Sequence, residues 1–350
     1  MKSAFQEIIS KKKVPDSIII KDNCIEKRIK KTGSLEDLIP IYKEIAITMN
    51  TLHPNLLKFQ EIILEQEKNF GAIKRLVLVF KKTGHTLSNF RCLISKNVPN
   101  IMLTTIMFQI FKALAHLHIN GFAHGDLHLN NILVDLKTFM IKIFDFGCIK
   151  RIRDKSDSVA STERYFRAPE NIFGSLDSTT KKKYDQNNNQ FTYNSNDKSQ
   201  FKADIFSAGQ IFFFLVTGRY FYKKNKYLKS IFKRIRKIGS DDENKFQDIV
   251  NNYESFEEID AINPSLLNLE GKELLKMTLK YYPEQRPTAI DVLQNSFFKS
   301  LNHGVIQRIS QYSNIDFKFN PNEETFASLV EKIKHFSFSL KNQQKILYFP

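Results

Sequence analysis

Three side chains that can offer oxygen ligands occur close together near the middle of the sequence. Asp126 and Asn131 belong to the segment His124–Asn131, with the sequence HGDLHLNN, and Asp145 begins the tripeptide DFG after a short apolar run. Phosphoryl transfer needs metal ions on the phosphate oxygens and a carboxylate that orients the nucleophile. Magnesium takes hard oxygen ligands, which carboxylate and amide groups supply. The combination therefore indicates phosphoryl transfer; a chance set of polar loop residues is the alternative.

These two segments resemble the catalytic loop and the metal-binding D-F-G segment of the protein-kinase family. The resemblance implies that Asp126 is the catalytic base and that Asn131 and Asp145 bind Mg²⁺. It also implies that Phe146 and His124 stack in the core that links two lobes. ATP and a protein substrate are the partners that such a site would take.

Three further segments follow in the order of that family. Residues 168–170 (APE) resemble the end of an activation segment, and Asp204 begins a segment that resembles the start of the long buried helix of the large lobe. Arg286 resembles the arginine that pairs with the glutamate of the APE segment, here Glu170. The resemblance implies that Asp204 holds the backbone of the catalytic loop.

Lys27 is the candidate for the lysine that binds the α- and β-phosphates of ATP. On a strand, Ile25, Lys27 and Ile29 share one face. A lysine between two isoleucines on that face indicates a nearby anion. Glu44 lies within a helical stripe and is the expected ion-pair partner of Lys27. A surface lysine and a solvated helix glutamate are the alternative interpretations.

The adenine ring is expected to bind at the segment Val79–Gly84, through backbone donor and acceptor groups that include those of Val79 and Lys81. Leu78 is the predicted residue at the rear of this pocket. Ile25 stands where the family usually has alanine above the adenine, and its extra volume narrows the predicted site. A plain buried strand would account for the same apolar residues.

The sequence departs from the family at three functional positions. No glycine-rich loop precedes Lys27, because Gly33 is the first glycine and the loop would fall near residues 8–14. Gly125 replaces the usual arginine, so control through an activation-loop phosphate at that arginine is not expected. His128 replaces the lysine that assists the γ-phosphate, and histidine is less fully charged than lysine at pH 7. A lower rate with retained binding is expected, with a simple loop hydrogen-bonding role for His128 as the alternative.

The elements that must position these residues follow from hydrophobic patterning, with apolar residues at spacing 3 and 4 for helices and strand-like apolar runs elsewhere. Strands are predicted at residues 17–31, 57–64 and 73–80, and helices at 35–50, 101–118, 204–217 and 271–280. A strand-rich part thus precedes a helical part. With the resemblance, which covers residues 17–300, the prediction is an α+β fold with a small antiparallel-sheet lobe, a large mainly helical lobe, and ATP and magnesium between them.

The predicted organisation has an N-terminal segment without a glycine-rich loop, a small lobe, a large lobe and a C-terminal helical extension. These are residues 1–16, 17–82, 83–300 and 301–350. Residues 174–202 are rich in Asn, Lys, Ser and Asp and cannot bury enough apolar surface to fold, so a flexible insertion is predicted. A helical pattern at Glu323–Phe338 is expected to pack on the large lobe.

Composition excludes several classes of protein. Lys and Arg total 53 against 37 Asp and Glu, which gives a net charge of +16. No arginine-rich helix or aromatic–basic RNA motif stands out, so nucleic-acid binding is not expected. The three cysteines have no paired spacing, and the most apolar run, Ile205–Val216, is too short to cross a bilayer. A soluble cytoplasmic or nuclear protein is expected, and the oligomeric state is not indicated.

Four functions compete. The first is a Ser/Thr protein kinase that uses Mg-ATP, and the second is a pseudokinase, a kinase-like binding module with little or no catalysis. The third is a small-molecule phosphotransferase, because antibiotic and choline kinases also use an H-G-D loop; the APE segment, Asp204 and Arg286 argue against it. The fourth rests on a distant likeness of Asp204–Phe213 and Ser296–Ser300 to kinase–endoribonuclease sensors of the unfolded-protein response. The 50 residues after position 300 are too few for their RNA-cleaving domain.

Overall fold

The chain divides into two structural units. The computed structural model describes residues 18–21, 23–29, 34–66, 73–93, 98–151, 165–173, 199–221, 256–301 and 324–347. The first unit comprises the described residues of 1–51, 57–83 and 315–350, and the second unit those of 52–56 and 84–314. The first contains a four-stranded antiparallel sheet, and the second is mainly helical. The predicted two-lobe α+β class is confirmed.

The sheet of the first unit has the order β1-β2-β4-β3. Its strands are β1 (Ile18–Ile20), β2 (Cys24–Ile29), β3 (Phe59–Gln66) and β4 (Ile73–Lys81). All neighbouring strands are antiparallel, and β2 pairs with β4 so that Lys27 lies opposite Leu78. Directly opposed residues of antiparallel strands point to the same face of the sheet. The register therefore places these two side chains on one face.

Helix α1 (Leu35–Asn50) follows β2, as the sequence predicts. Ser34 caps its N-terminus, since the Ser34 Oγ accepts a hydrogen bond from the N–H of Asp37 at 3.2 Å. Such a cap satisfies one of the backbone donors that a helix end leaves without a partner. Leu38 and Ile45 are fully buried, which anchors the apolar side of the helix.

The second unit is built around two long helices, α3 and α5, which pack on each other. Its helices are α2 (Leu87–Leu93), α3 (Asn100–Ile119), α4 (Pro169–Phe173), α5 (Ser199–Thr217), α6 (Glu257–Asp260), α7 (Leu269–Thr278) and α8 (Ala289–Leu293). Its strands are β5 (His85–Thr86), β6 (Phe122–Ala123), β7 (Ile132–Val134), β8 (Ile141–Ile143) and β9 (Lys150–Arg151). The strands form two small sheets, β5-β7-β8 and β6-β9, which carry the loops described below.

Helix α3 is the one helix in the described part of the chain that is long and apolar enough to cross a membrane. Of its most apolar 18-residue window, 72% is buried inside the protein. It packs on α5 and α8. Burial by other helices accounts for its apolar character.

Helix α5 begins five residues earlier than predicted. The predicted insertion, residues 174–202, overlaps its first turn at Ser199–Lys202, and residues 174–198 lie outside the described residues. Phe201 stacks on His118 at a ring distance of 4.6 Å, and the Lys202 ammonium donates to the carbonyl of Arg286. These tertiary contacts extend the helix into a segment whose composition indicated disorder.

The C-terminal helix α9 (Phe326–Leu347) belongs to the first unit and packs on α1 and β3. The expectation that the extension packs on the large lobe is therefore wrong. Its buried residues include Leu329, Ile333 and Leu340, which share one face. A helical pattern shows that one face is buried but not what covers it, and this is why the partner of the helix was not predicted correctly.

Two histidines are buried in the second unit. The rings of His53 and His116 stack at 5.0 Å, and both residues are at most 3% exposed. Burial lowers the pKa of His53 from 6.5 to about 2, with a smaller effect of the charge on His116, and lowers the pKa of His116 to about 4. Both rings are therefore neutral in the folded protein near pH 7.

These two pKa values predict that acid destabilises the protein. Below pH 6.5 the unfolded chain binds protons at both histidines and the folded chain does not, so stability is full above pH 6.5 and falls as the pH is lowered. Each group contributes up to about 1.4 kcal/mol per pH unit. We expect urea unfolding near pH 7 and near pH 5 to show a loss roughly 4 kcal/mol larger in the wild type than in the H53Q/H116Q variant. Equal losses in the two proteins would show that these histidines do not couple folding to pH.

Candidate active site

The loop that carries Asp126 is held by the carboxylate of Asp204, near the start of α5. Asp204 Oδ2 accepts from the N–H of His124 at 2.7 Å, and Oδ1 accepts from the N–H of Gly125 at 3.0 Å. His118 Nε2 lies 3.0 Å from Asp204 Oδ2, so it donates a third hydrogen bond to this buried group. Hydrogen bonds to an ionised acceptor are about twice as strong as neutral ones. The predicted role of Asp204 as an anchor for this loop is confirmed.

Gly125 is required by the geometry of the loop. Its φ is +77°, in the left-handed region, and a Cβ at this position would lie 2.4 Å from the carbonyl oxygen of Cys148. Side chains are strained at this φ even where space is available. The backbone of this chain therefore excludes an arginine at position 125, which explains the departure noted in the sequence.

Asp126 and Asn131 are brought together by a hydrogen bond across the loop. Asn131 Nδ2 donates to the carbonyl oxygen of Asp126 at 2.9 Å, at the end of a 3₁₀ turn over Leu129–Asn131. Because the amide nitrogen is used in this way, Asn131 Oδ1 is the atom left to accept or to bind a cation. Asp126 Oδ1 is buried and has no hydrogen-bond partner among the described residues. A buried carboxylate oxygen of this kind suits a hydroxyl group of a substrate.

Asp145 lies next to this pair through the backbone. The N–H of Phe144 donates to the carbonyl oxygen of Asn131 at 3.0 Å, and Asp145 follows with φ +66° and ψ 74°. A non-glycine residue in this conformation is uncommon, and such residues cluster at functional sites. Among the described residues no group of three or more His, Cys, Asp and Glu side chains forms a metal site, so a cation here would rely on Asn131 and Asp145.

His124 lies inside this cluster of acids. Burial lowers its pKa, and the charges of Asp204, Asp126 and Asp145 oppose that effect. The ring is a neutral tautomer, since Nδ1 accepts from the N–H of Asp126 at 3.3 Å and Nε2 therefore donates to the carbonyl of Phe144 at 3.2 Å. Its ring lies 5.4 Å from that of Phe146 at 60°, so the predicted contact exists with tilted rather than stacked rings.

His128 is close to Asp126 but does not hydrogen-bond to it. Its Nδ1 accepts from the N–H of Asn130 at 3.2 Å, and its Nε2 lies 3.7 Å from Asp126 Oδ2. The bond to Asn130 places the hydrogen of a neutral ring on Nε2, on the side of the carboxylate. His128 thus caps the 3₁₀ turn through a hydrogen bond, in line with the alternative interpretation. Its Nε2 also faces the carboxylate of Asp126, the predicted catalytic group.

The segment around Glu170 is joined to Arg286 by a buried ion pair. Arg286 donates from Nη1 to Oε1 at 2.7 Å and from Nη2 to Oε2 at 2.8 Å. The guanidinium also donates to the carbonyls of Lys280, Lys202 and Tyr281. Arg286 is only 1% exposed, and this full set of bonds is what a buried charge requires. The predicted pairing is confirmed.

In the first unit, Lys27 and Glu44 form the predicted ion pair. Lys27 Nζ lies 2.7 Å from Glu44 Oε2, and the side chains are 24% and 2% exposed. The Oγ1 of Thr48 donates to the carbonyl of Glu44 at 2.7 Å, so this polar residue of α1 is satisfied within the helix. A solvated helix glutamate is thus the wrong interpretation of Glu44, and a role for the pair in phosphate binding stays a prediction.

The residues predicted to surround adenine divide between the two faces of the sheet. Ile25 and Leu78 are buried on the same face as Lys27, whereas Val79 lies opposite Glu26 on the other face. Lys81 is exposed at the end of β4 and shares the face of Val79. Val79 and Lys81 could therefore meet a ligand on the Lys27 face only through their backbone. Residues 8–14, where a glycine-rich loop would fall, lie outside the described residues.

Sequence reasoning missed His118. His118 lies in the last turn of α3 and belongs to no recognisable motif. Its hydrogen bond to Asp204 joins residues that are far apart in the chain. The spacing of His118 and His124 is not a recognisable signal, because the contact exists only once α3 and α5 pack together.

Comparison with known protein families identifies the family of this chain. The model for "Protein kinase domain" matches residues 17–298. The chain belongs to the protein kinase family. The match includes Asp126, Asn131 and Asp145 as well as Lys27, so the residues singled out above all lie inside the kinase domain.

Two relatives support this membership. The chain is 29% identical over 227 residues to "Protein kinase gsk31" of Schizosaccharomyces pombe, over 59% of this chain and 51% of that protein. It is 25% identical over 270 residues to "Glycogen synthase kinase 1" of Pyricularia oryzae, over 75% of this chain and 63% of that protein. The chain thus spans between about half and two thirds of the length of these relatives. The predicted likeness to unfolded-protein-response sensors stays untested.

Substitution of Gly125 is predicted to disrupt the kinase catalytic loop. Gly125→Ala meets the carbonyl of Cys148, whereas Gly121→Ala has a similar φ of +82° and nothing within 4 Å. We expect Gly121→Ala to cost about 1–2 kcal/mol of stability from the backbone alone, and Gly125→Ala to cost about 1–3 kcal/mol more, as overpacking does. Urea unfolding of both variants measures the difference. Equal destabilisation would show that the loop does not approach Cys148 as described.

Proposed function

We propose that this protein kinase transfers the γ-phosphate of Mg-ATP to serine or threonine hydroxyls of protein substrates. The observation that carries the proposal is the buried Oδ1 of Asp126, which has no partner among the described residues and sits beside the fixed amide of Asn131. A carboxylate in this state can accept a hydrogen bond from the hydroxyl that attacks the phosphate. The preference for Ser or Thr over Tyr rests on the general resemblance alone.

The donor set of the loop fits magnesium. Asn131 Oδ1 is available because its amide nitrogen is bonded to the backbone, and Asp145 supplies a carboxylate beside it in the fold. These are the hard oxygen ligands that Mg²⁺ takes together with water. Bound magnesium would neutralise charge on the phosphate oxygens. The protein's own contribution is to keep both oxygen donors in place before the nucleotide arrives.

In the first unit, Lys27 would hold the α- and β-phosphates. Its ammonium is fixed by Glu44, which is nearly fully buried, and it remains 24% exposed. Ile25 and Leu78, which are buried on the same face of the sheet, would contact the adenine-bearing part of the ligand. The segment Val79–Gly84, including Lys81, is proposed to bind adenine through its backbone.

Asp126 would orient the substrate hydroxyl and accept its proton. His128, with Nε2 3.7 Å from Asp126 Oδ2, stands in place of the family lysine that assists the γ-phosphate. Because a histidine at this position offers less charge to the γ-phosphate, we expect a slower enzyme that still binds nucleotide. The predicted cytoplasmic or nuclear location stays a prediction.

A pseudokinase without transfer activity is the second candidate, favoured by the replacement of the lysine by His128. The two candidates agree on nucleotide binding and differ on transfer. They are separated by an experiment that measures both quantities in the same protein.

The substitution Asp126→Asn is predicted to abolish transfer and to keep binding. We expect the initial rate of phosphate incorporation into a basic-protein substrate to fall about 10²–10⁴-fold, the usual contribution of a general base. The thermal shift produced by Mg-ATP should persist, because Asp126 is not proposed to bind the metal.

Asp135→Asn is the matched control. Asp135 accepts from the N–H groups of Lys137 and Thr138 in a turn after β7, and asparagine keeps such acceptors. Its rate should stay within about twofold of the wild type, since the loss of a carboxylate at this turn touches no proposed ligand. Equal incorporation by the wild type and the Asp126→Asn variant would reject Asp126 as the catalytic base. A wild type that shows the Mg-ATP thermal shift but no incorporation would leave the pseudokinase.

A further inference from the structure

Helix α9 covers the outer side of α1, the helix that carries Glu44. No other described helix or strand runs as extensively alongside α1 as α9 does, and α9 also runs along β3, the edge strand of the sheet. Both contacts lie within the first unit. The family model ends at residue 298, so this helix is outside the matched kinase domain.

The contact is made by a buried apolar stripe and by a side-chain hydrogen bond to the sheet. Leu329, Ile333 and Leu340 are buried at spacings of four and seven residues, and thus lie on one face of α9. The Oγ of Ser337 donates to the carbonyl oxygen of Ile62 on β3 at 2.6 Å. This bond gives a partner to a backbone carbonyl of an edge strand, which fixes α9 to the sheet as well as to α1.

The side of α1 that faces α9 carries Tyr42. Its ring lies 6.4 Å from that of Phe336, and the ammonium of Lys332 lies 5.8 Å from its centre. Tyr42 and Glu44 are two residues apart, so with 3.6 residues per turn they project on roughly opposite sides of the helix. One side of α1 therefore meets α9 while the other side offers Glu44 to Lys27.

The ion pair alone is a weak constraint on α1. Lys27 is 24% exposed, and partly exposed pairs contribute little because water screens the charges and side-chain entropy is lost. Apolar packing along a whole helix is a stronger constraint. What keeps Glu44 within reach of Lys27 is thus mainly the contact that holds α1 from its outer side.

We infer that α9 is a built-in positioning helix: by packing on α1 and β3 it keeps Glu44 beside Lys27 and thereby sets the rate of phosphate transfer. The inference rests on the proposed function for its catalytic part. Ile333 and Tyr42 are positioning residues in this account, because they act through Glu44 and do not touch a reacting atom.

The test compares two charges placed on opposite sides of α9 in the full-length chain. Ile333→Asp puts a carboxylate into the buried stripe, and Phe338→Asp puts one on the exposed side, where Phe338 is 65% exposed. Ile333→Leu keeps the apolar contact and serves as the conservative variant. Two quantities are measured: amide hydrogen exchange in α1, with α3 of the second unit as internal reference, and kcat/KM for ATP.

For Ile333→Asp we expect exchange in α1 to be at least tenfold faster with α3 unchanged, and kcat/KM for ATP to be at least tenfold lower. Phe338→Asp and Ile333→Leu should stay within twofold of the wild type in both measurements. The KM for the protein substrate should not change. A general loss of folded protein would speed exchange in α3 as well as in α1, so unchanged exchange in α3 separates a displaced α1 from unfolding. Identical α1 exchange and identical kinetics in Ile333→Asp and Phe338→Asp would overturn the inference.

If Ile333→Asp also loses protection in α3, the pair Ile333→Ala and Phe338→Ala repeats the comparison without a buried charge and decides the question by the same criteria. Faster exchange in α1 with unchanged kcat/KM would overturn the catalytic part of the inference. No phosphate incorporation by the wild type would overturn the proposed function, and the exchange measurement would still show whether α9 holds α1.

Discussion

The carboxylate of Asp204 accepts hydrogen bonds from two consecutive backbone N–H groups, those of His124 and Gly125, and the geometry of the catalytic loop depends on this interaction. Backbone N–H groups that are buried must find acceptors, and Asp204 is the acceptor for those of His124 and Gly125. One ionised side chain meets both requirements and takes a third bond from His118. Each such charge-assisted bond is worth roughly 1.5–3 kcal/mol, so the loop has one strongly preferred position.

Helix α5 connects the catalytic loop to other segments of the second unit through hydrogen bonds. The carbonyl of Lys202 accepts from Arg286, whose guanidinium holds Glu170, and Ser207 Oγ donates to the carbonyl of Phe166 at 2.8 Å. The same turns of α5 thus anchor the catalytic loop and the segment that ends at Glu170. Within this framework, the bond from Asn131 Nδ2 to the carbonyl of Asp126 positions these two residues, and Asp145 follows the backbone bond from Phe144 to Asn131.

Short-range patterns were sufficient for much of the fold. The helix over 35–50 and the strands around Lys27 follow from periodicity, because one buried face imposes a repeat on the sequence. The pairs Lys27–Glu44 and Glu170–Arg286 could be predicted because family motifs place both partners. A motif carries such long-range information only where the chain matches the family.

The remaining features depend on tertiary contacts that no local pattern encodes. His118 contacts Asp204 only because α3 and α5 pack together. The first turn of α5 is stabilised by the stacking of Phe201 on the ring of His118. The partner of α9 could not be derived, since an amphipathic helix specifies a buried face and not its cover. The need for glycine at 125 became clear only from the position of the Cys148 carbonyl.

The most direct test of the account is the rate of phosphate transfer by the Asp204→Asn variant at saturating Mg-ATP. Asparagine keeps the size of the side chain but has one acceptor oxygen, so it can hold only one of the two loop N–H groups well. We expect a rate at least about tenfold lower, since small displacements of catalytic groups are costly, with the Mg-ATP-induced thermal shift preserved. A variant that transfers phosphate at the wild-type rate would contradict the claim that this carboxylate sets the catalytic geometry.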